Sequence, residues 1–170
     1  MTTNNIFEGN KANTAQTWSH VLVHRDGTAS PDSVAVYEDG VLIETWSHAN
    51  IGGSWDWEGV AVGRDLNNND IFDGGFMDDI QIWKGIALPD VVKLYQKGRG
   101  GNHNTANSSC VLHIKSDTTY GDTKIIDSSP SAHTITNVGG VYHHLDDNRT
   151  ANTALYFDGY SMLRFPNTAE

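Results

Sequence analysis

Residues 76–83 have the sequence FMDDIQIW, in which apolar and polar side chains alternate as they do along a β-strand. Side chains at every second position of a strand point to the same face of the sheet. Ile80 and Ile82 are therefore expected on one face, and Asp79 and Gln81 on the other. The stretch predicts a strand that turns one face toward an apolar core.

An oxygen-rich loop precedes this strand. Asp65, Asn67 and Asn69 alternate along it as in a calcium-binding loop, although the glutamate that closes an EF-hand is absent. Asp78 and Asp79 then place two carboxylates at the start of the strand. Because Ca²⁺ prefers oxygen ligands, the region is a candidate calcium site. A solvated acidic turn that leads into an ordinary strand explains the same residues equally well.

Length, charge and composition narrow the class of protein. The chain has 170 residues, a length typical of one domain, and a net charge of −10 without a basic cluster, so no nucleic-acid partner is expected. No stretch has the apolar length that membrane insertion needs. Residues 1–5 lack a signal-peptide pattern, so an extracellular location would require a removed leader or release by another route, for instance in a virus particle. Abundant Gly, Asn, Thr, Ser and Asp, together with many aromatic residues, favour an all-β protein.

Local signals mark a hairpin, a helix and a linker. Asp39-Gly40 lies between two apolar runs and is the strongest hairpin signal in the chain. A short helix is predicted near residues 88–96, with Pro89 in its first turn. Residues 99–109 are small and polar and predict a flexible linker. Cys110, the single cysteine, lies in an apolar run and is expected to be a buried, unreactive thiol.

Together these segments resemble the laminin-G-like, concanavalin A-like jelly-roll family. Residues 76–83 look like the family's Gly-x-Ile-Asp-Asp-Val-x-Ile-Tyr strand. Three further segments of residues 17–97 resemble family motifs: Trp18-Ser19-His20-Val21, Val36-Tyr37-Glu38-Asp39-Gly40 and Val62-Gly63-Arg64. The resemblance implies an all-β fold, a two-sheet antiparallel jelly-roll sandwich with one short helix.

The halves of the resemblance occur in inverted order. Residues 1–98 resemble the C-terminal half of the jelly roll and residues 110–170 the N-terminal half, through Leu112-His113-Ile114, Asp127-Ser128-Ser129 and Ala154-Leu155-Tyr156-Phe157-Asp158-Gly159. The chain is circularly permuted, straddles two consecutive domains of a repeat protein, or exchanges halves with neighbouring copies. Closure or exchange is favoured, because half a sandwich buries too little apolar surface to offset its ordering entropy.

The resemblance and one loop supply candidate binding residues. In this family a structural calcium often sits at the Asp-Asp strand, which implies Asp127 with Asp78 or Asp79 as ligands here. Trp55 and Trp57 flank one residue in a polar loop and share a side if that loop is extended. Such a pair suits stacking on sugar rings or packing on a partner, and it equally suits plugging the end of the core.

The expected function is non-catalytic. The sequence has neither the closely spaced carboxylate pair of jelly-roll glycoside hydrolases nor a Cys/His zinc pattern. We expect a structural or assembly subunit of an extracellular filament, fibre or virion, joined to other copies of itself by strand complementation, because exposed strand edges pair with other chains. The alternative is a monomeric lectin-like module that binds carbohydrate or a cell-surface ligand. Either function implies an extracellular, cell-surface or virion location.

Overall fold

The computed structural model describes residues 18–26, 28, 33–47, 60–63, 74–98, 108–145 and 153–165. This part of the chain is mostly β, with several small antiparallel sheets and one short helix, which confirms the predicted mainly-β class. The elements are β1 Val21–Asp26, β2 Ser33–Glu38, β3 Val41–Ser47, β4 Val60–Val62, β5 Gly75–Met77, β6 Ile80–Trp83, α1 Val91–Gly98, β7 Cys110–Ile114, β8 Thr136–Val138, β9 Tyr142–Leu145, β10 Thr153–Phe157 and β11 Met162–Phe165.

The chain divides into two compact units. Unit 1 comprises residues 1–52 and 88–101, and unit 2 comprises residues 53–87 and 102–170. These boundaries differ from the predicted division at residues 99–109. Most of that predicted linker lies outside the described residues, so its flexibility stays a prediction. No helix in the described ranges is long and apolar enough to cross a membrane.

Unit 1 contains the antiparallel sheet β1-β2-β3. The predicted hairpin at Asp39-Gly40 is confirmed: both residues have positive φ, 51° and 83°, as a type I′ turn requires. Helix α1 begins after Asp90, whose carboxylate accepts a hydrogen bond from the backbone N–H of Lys93 at 3.1 Å. Asp90 therefore caps the helix, which starts slightly later than the sequence predicted.

Unit 2 contains three small sheets, in the orders β5-β10-β9, β4-β11-β8 and β6-β7. Each sheet pairs a strand from residues 60–83 with one or two strands from residues 110–165. The buried core consists of residues from the second half of the sequence: Leu112, Ile114, Val141, Leu155, Phe157, Leu163 and Phe165. The first half contributes partly buried side chains that pack against this core, namely Val62, Met77, Ile80 and Ile82.

The predicted strand over residues 76–83 is interrupted in the structure. Asp79 adopts a left-handed conformation, φ 52°, and separates β5 from β6. The carboxylate of Asp78 accepts the N–H of Asp79 at 2.8 Å, a local hydrogen bond that competes with strand pairing. Within β6 the predicted alternation is confirmed, because Ile80 and Ile82 pack against the core of unit 2 while Gln81 hydrogen-bonds Asp79.

Candidate functional site

Three aromatic rings form a row across the sheet β5-β10-β9. Phe76 lies directly opposite Tyr156, and Tyr156 lies directly opposite Tyr142. Side chains of directly paired residues share a face and touch, and the ring centroids are 5.4 Å apart at the first step and 5.3 Å at the second. Leu155 and Phe157, which alternate with Tyr156, belong to the core. The aromatic row therefore lies on the opposite face of the sheet from the core.

Two further rings widen this row into a larger surface. The ring of His144 lies 5.3 Å from Phe76 and 5.3 Å from Tyr120, between centroids. Tyr120 also meets Tyr142 edge-on at 6.4 Å. We call the five residues Phe76, Tyr120, Tyr142, His144 and Tyr156 the aromatic face.

Small and backbone groups hold the aromatic face in place. Ala154 is the partner of His144 on the neighbouring strand and is fully buried, so its small side chain leaves room for the imidazole to reach Phe76. Tyr120 is positioned by backbone bonds at the edge of β9. The N–H of Gly121 donates to the carbonyl of His143 at 2.7 Å, and the N–H of His143 donates to the backbone carbonyl of Asp122 at 2.9 Å.

The aromatic face is partly open to solvent and carries little charge. Tyr120 is 56% exposed and Phe76 37%. Desolvation raises the pKa of the Tyr142 phenol, and Coulombic interaction with Tyr120 and Tyr156 raises it further. The ring centroids of Tyr120 and Tyr156 lie 6.4 Å and 5.3 Å from that of Tyr142, so the three phenols are neighbours. The face thus combines flat apolar rings with hydroxyl groups that donate and accept hydrogen bonds.

A separate polar cluster surrounds the buried His113. Its Nε2–H donates to the carboxylate of Asp79 at 2.7 Å, and that oxygen also accepts a hydrogen bond from Gln81. Nδ1, on the other side of the ring, has no hydrogen-bond partner in the described part of the chain. The backbone N–H of His113 donates to Asp127 at 2.9 Å. His113 therefore joins the turn before β6 to the loop after β7.

Asp127 uses both carboxylate oxygens to hold its own loop. It accepts hydrogen bonds from the N–H groups of His113, Ser129 and His133 and from the hydroxyl of Ser129, at 2.8 to 3.0 Å. Desolvation is the largest single influence on its pKa and raises it, but the backbone hydrogen bonds together lower the pKa below its ordinary value. The four bonds account for the acceptor sites of an ionised carboxylate.

The predicted calcium ligands are only partly brought together. Asp79 and Asp127 both contact His113, one through the ring and one through the backbone, while Asp78 accepts the N–H of Ser116 at 3.1 Å. A calcium ion at Asp127 would have to displace existing donors. Among the described residues no group of three or more His, Cys, Asp or Glu side chains is placed to hold a metal. Calcium stays a prediction, as do the ligands Asp65, Asn67 and Asn69, which lie outside the described residues.

A buried hydroxyl–imidazole pair has a structural role. Ser116 Oγ lies 2.7 Å from Nδ1 of His143, and both residues are buried. Nε2 of His143 lies 3.2 Å from the carbonyl of Lys124, and the Thr153 hydroxyl donates to the carbonyl of Ser116. Because Ser116 is fully buried, a substrate has no access to the hydroxyl. The pair holds β9, β10 and the segment after β7 together.

Cys110 is buried as predicted, and burial raises the pKa of its thiol. Its Sγ–H donates to the carbonyl of Leu112 at 3.3 Å. The raised pKa keeps the group as a thiol, which is the less reactive form.

The predicted ligand residues Trp55 and Trp57 lie outside the described residues, so their role stays a prediction. The aromatic face was not predicted from the sequence. Its signal is present, because Tyr142 and His144 alternate in one segment and Tyr156 stands in another. Only the cross-strand register reveals that these positions are neighbours.

Comparison with known proteins gives no relative. The chain matches no family model, no curated protein and no solved structure. The resemblance to the laminin-G-like family therefore stays a prediction.

Proposed function

We propose that this protein is a non-catalytic recognition module, lectin-like in function, that binds uncharged saccharide through the aromatic face. The observation that carries this proposal is the set of five touching aromatic rings on the sheet face opposite the core. Their mutual packing fixes the rings before any ligand arrives, which lowers the entropic cost of binding.

Sugar chemistry matches this surface. A pyranose ring has apolar C–H faces that stack on aromatic rings and hydroxyl groups around its rim. The phenols of Tyr120, Tyr142 and Tyr156 offer both kinds of contact, because tyrosine combines a flat apolar body with a polar tip. The ring-bearing positions carry no carboxylate, amine or guanidinium, and the chain has a net charge of −10, which repels anionic polymers. An uncharged ligand is therefore favoured.

The fold proposed for this module is a two-sheet jelly roll of the laminin-G-like type, closed within the chain. Support comes from unit 2, where each small sheet combines strands from both sequence halves. One core shared by distant parts of the sequence is what closure of a permuted sandwich requires. An extracellular, cell-surface or virion location is proposed with it, because that is where such a module meets glycans.

The test is a binding screen of the purified full chain against immobilised neutral and acidic glycans. We expect binding to neutral glycans and at least a tenfold loss for Tyr156→Ala, which removes the central ring. The matched control is Tyr160→Ala, because Tyr160 is a solvent-exposed tyrosine outside the aromatic face. Retained glycan binding by Tyr156→Ala would overturn the proposal. So would the absence of any glycan ligand, including the case in which the face captures a surface protein instead.

A second candidate function is assembly with other copies of the chain. β3 is an edge strand of its sheet, and its consecutive residues Val41, Leu42 and Ile43 are exposed. A long apolar edge strand is a template for pairing with another chain. This candidate predicts a multimer in light scattering, and measurement with calcium and then with a chelator would show whether a cation controls assembly. A monomer at all concentrations in both conditions would contradict it.

A further inference from the structure

We infer from the geometry of the aromatic row that its ligand is a single soluble oligosaccharide chain, which lies across the strands with one sugar unit on each ring. This inference rests on the proposed function and narrows it to a ligand form and a direction of binding. The aromatic row is Phe76, Tyr156 and Tyr142, in that order.

The direction follows from strand register. Because the three residues are direct partners on adjacent strands, the row runs perpendicular to the strands. The distance between neighbouring strands then fixes the ring spacing, and the centroids are 5.4 Å and 5.3 Å apart. One pyranose unit advances an extended glycan chain by a comparable length. A chain laid along the row therefore meets a new ring with each new sugar.

The ligand form follows from the tilt of the rings. Phe76 and Tyr156 are inclined at 54°, and so are Tyr156 and Tyr142. A flat crystalline polysaccharide presents coplanar sugar faces, so it can stack on only one of these rings at a time. A free chain can rotate about its glycosidic bonds and turn successive sugars toward successive rings. The tilted row thus selects single chains over crystalline surfaces.

His144 lies beside this row. Its ring centroid is 5.3 Å from that of Phe76 and 6.0 Å from that of Tyr156, and its side chain covers the small side chain of Ala154. The imidazole is thus placed where the rim of a stacked sugar would lie. Tyr120 lies next to His144 on the same side of the row, with its ring 5.3 Å from the imidazole. His144 and Tyr120 together supply polar groups along the row.

The test is a length series of soluble neutral oligosaccharides, from one to six units of glucan, mannan, xylan and galactan, measured by isothermal titration calorimetry. For the series that binds, we expect affinity to rise by about threefold to tenfold per added sugar and to level off after three units, one per ring. Phe76→Leu and Tyr142→Leu remove the end rings and should each move the plateau to two units. Leucine keeps apolar volume at the site, and thermal unfolding of each variant checks that it folds.

Tyr160→Leu, outside the row, should leave the plateau at three units. The protein should bind weakly to a crystalline form of the same polysaccharide. Soluble oligosaccharide should compete it away from that crystalline form. Equal affinity for monosaccharide and trisaccharide, or stronger capture by the crystalline form, would overturn the row inference while the proposed function stands. Absence of binding to any saccharide of any length would overturn both. Tighter binding of choline than of any sugar would also overturn both, because it would make the rings a cation site.

Discussion

The two compact units differ in how they use their strands. Unit 1 has the longer strand pairings, with six residues of β1 paired to β2, yet in its described part Val34 and Val91 are the buried apolar side chains. Unit 2 has shorter strands but surrounds a seven-residue core. The exposed apolar residues of the unit 1 sheet are Val21, Val23, Val41, Leu42 and Ile43.

This difference separates hydrogen bonding from burial as sources of stability. A backbone hydrogen bond contributes only about 0.5 to 1.5 kcal/mol net, because the unfolded chain bonds to water instead. Burial of apolar surface is the dominant favourable contribution. We therefore expect unit 2 to be the more stable unit, although the strand ladders of unit 1 look more regular.

The largest expected effect comes from removal of a core ring. Phe157→Ala deletes a fully buried side chain of unit 2, and we expect it to lower the free energy of unfolding of that unit by about 4 kcal/mol. Val34→Ala in unit 1 removes two methyl groups and should cost about 1.5 kcal/mol. Hydrogen exchange at increasing urea concentrations would report each unit separately. Equal losses in the two variants would contradict the assignment of the main core to unit 2.

Substitution of one glycine in each unit by alanine compares the packing of the two units, because both glycines have a positive φ and so incur similar backbone strain. Gly63 has φ +95°, and an added Cβ would lie 2.4 Å from Phe157. Gly40 has φ +83°, and an added Cβ would lie 3.4 Å from the Cα of Val92. That distance is an ordinary van der Waals contact. Both alanine variants incur backbone strain of about 1 kcal/mol, and Gly63→Ala adds overpacking for a total of about 3 kcal/mol. Urea unfolding of both variants measures the difference, and a larger loss for Gly40→Ala would refute this packing.

Asp127 gives unit 2 a pH dependence. Its pKa is lower in the folded chain than in the unfolded chain, so the folded state binds fewer protons. The stabilisation is therefore present above the unfolded pKa of about 3.9 and is lost as pH falls through the lower folded pKa. Asp127→Asn should cost about 2 kcal/mol at neutral pH, because buried donors lose an acceptor, and should flatten the acid dependence.

The matched variant in unit 1 is Asp39→Asn. Asp39 accepts one backbone bond, from the N–H of His20 at 2.9 Å, and asparagine keeps an acceptor and tolerates its φ of 51°. We expect a change within about 0.5 kcal/mol. Urea unfolding between neutral and acidic pH compares the two variants. An unchanged acid dependence in Asp127→Asn would show that other carboxylates cause it.

The sequence predicted features that depend on local chemistry. Asp39-Gly40 determines its own turn, and the alternation in residues 80–83 determines which side chains face the core. The break at Asp79 was not predictable from alternation, because it depends on a local hydrogen bond that the N–H of Asp79 donates to the carboxylate of Asp78. The aromatic face was missed for a different reason. Its residues come from distant segments, and only the register of β5, β10 and β9 makes them neighbours.

The smallest expected effect on stability lies on the exposed strand of unit 1. Ile43 in β3 is 45% exposed, so Ile43→Lys should change the free energy of unfolding by no more than about 0.5 kcal/mol. A lysine on an edge strand opposes pairing with another chain, because pairing would bury its charge. If β3 joins copies, the variant should shift light scattering from multimer to monomer without loss of fold. Thr45→Lys on the same strand is the matched control, because it adds the same charge without removing an apolar side chain.

The paired result separates two reasons for the exposure of the unit 1 sheet. Dissociation by Ile43→Lys with little effect of Thr45→Lys would mean that the apolar surface is retained for contact with another copy. Dissociation by both variants would assign assembly to edge pairing, which any added charge disrupts. A wild-type chain that is monomeric at every concentration would exclude self-pairing of β3. The small number of buried apolar side chains in the described part of unit 1 would then have no role in self-assembly. Recognition through the aromatic face would remain as the proposed function.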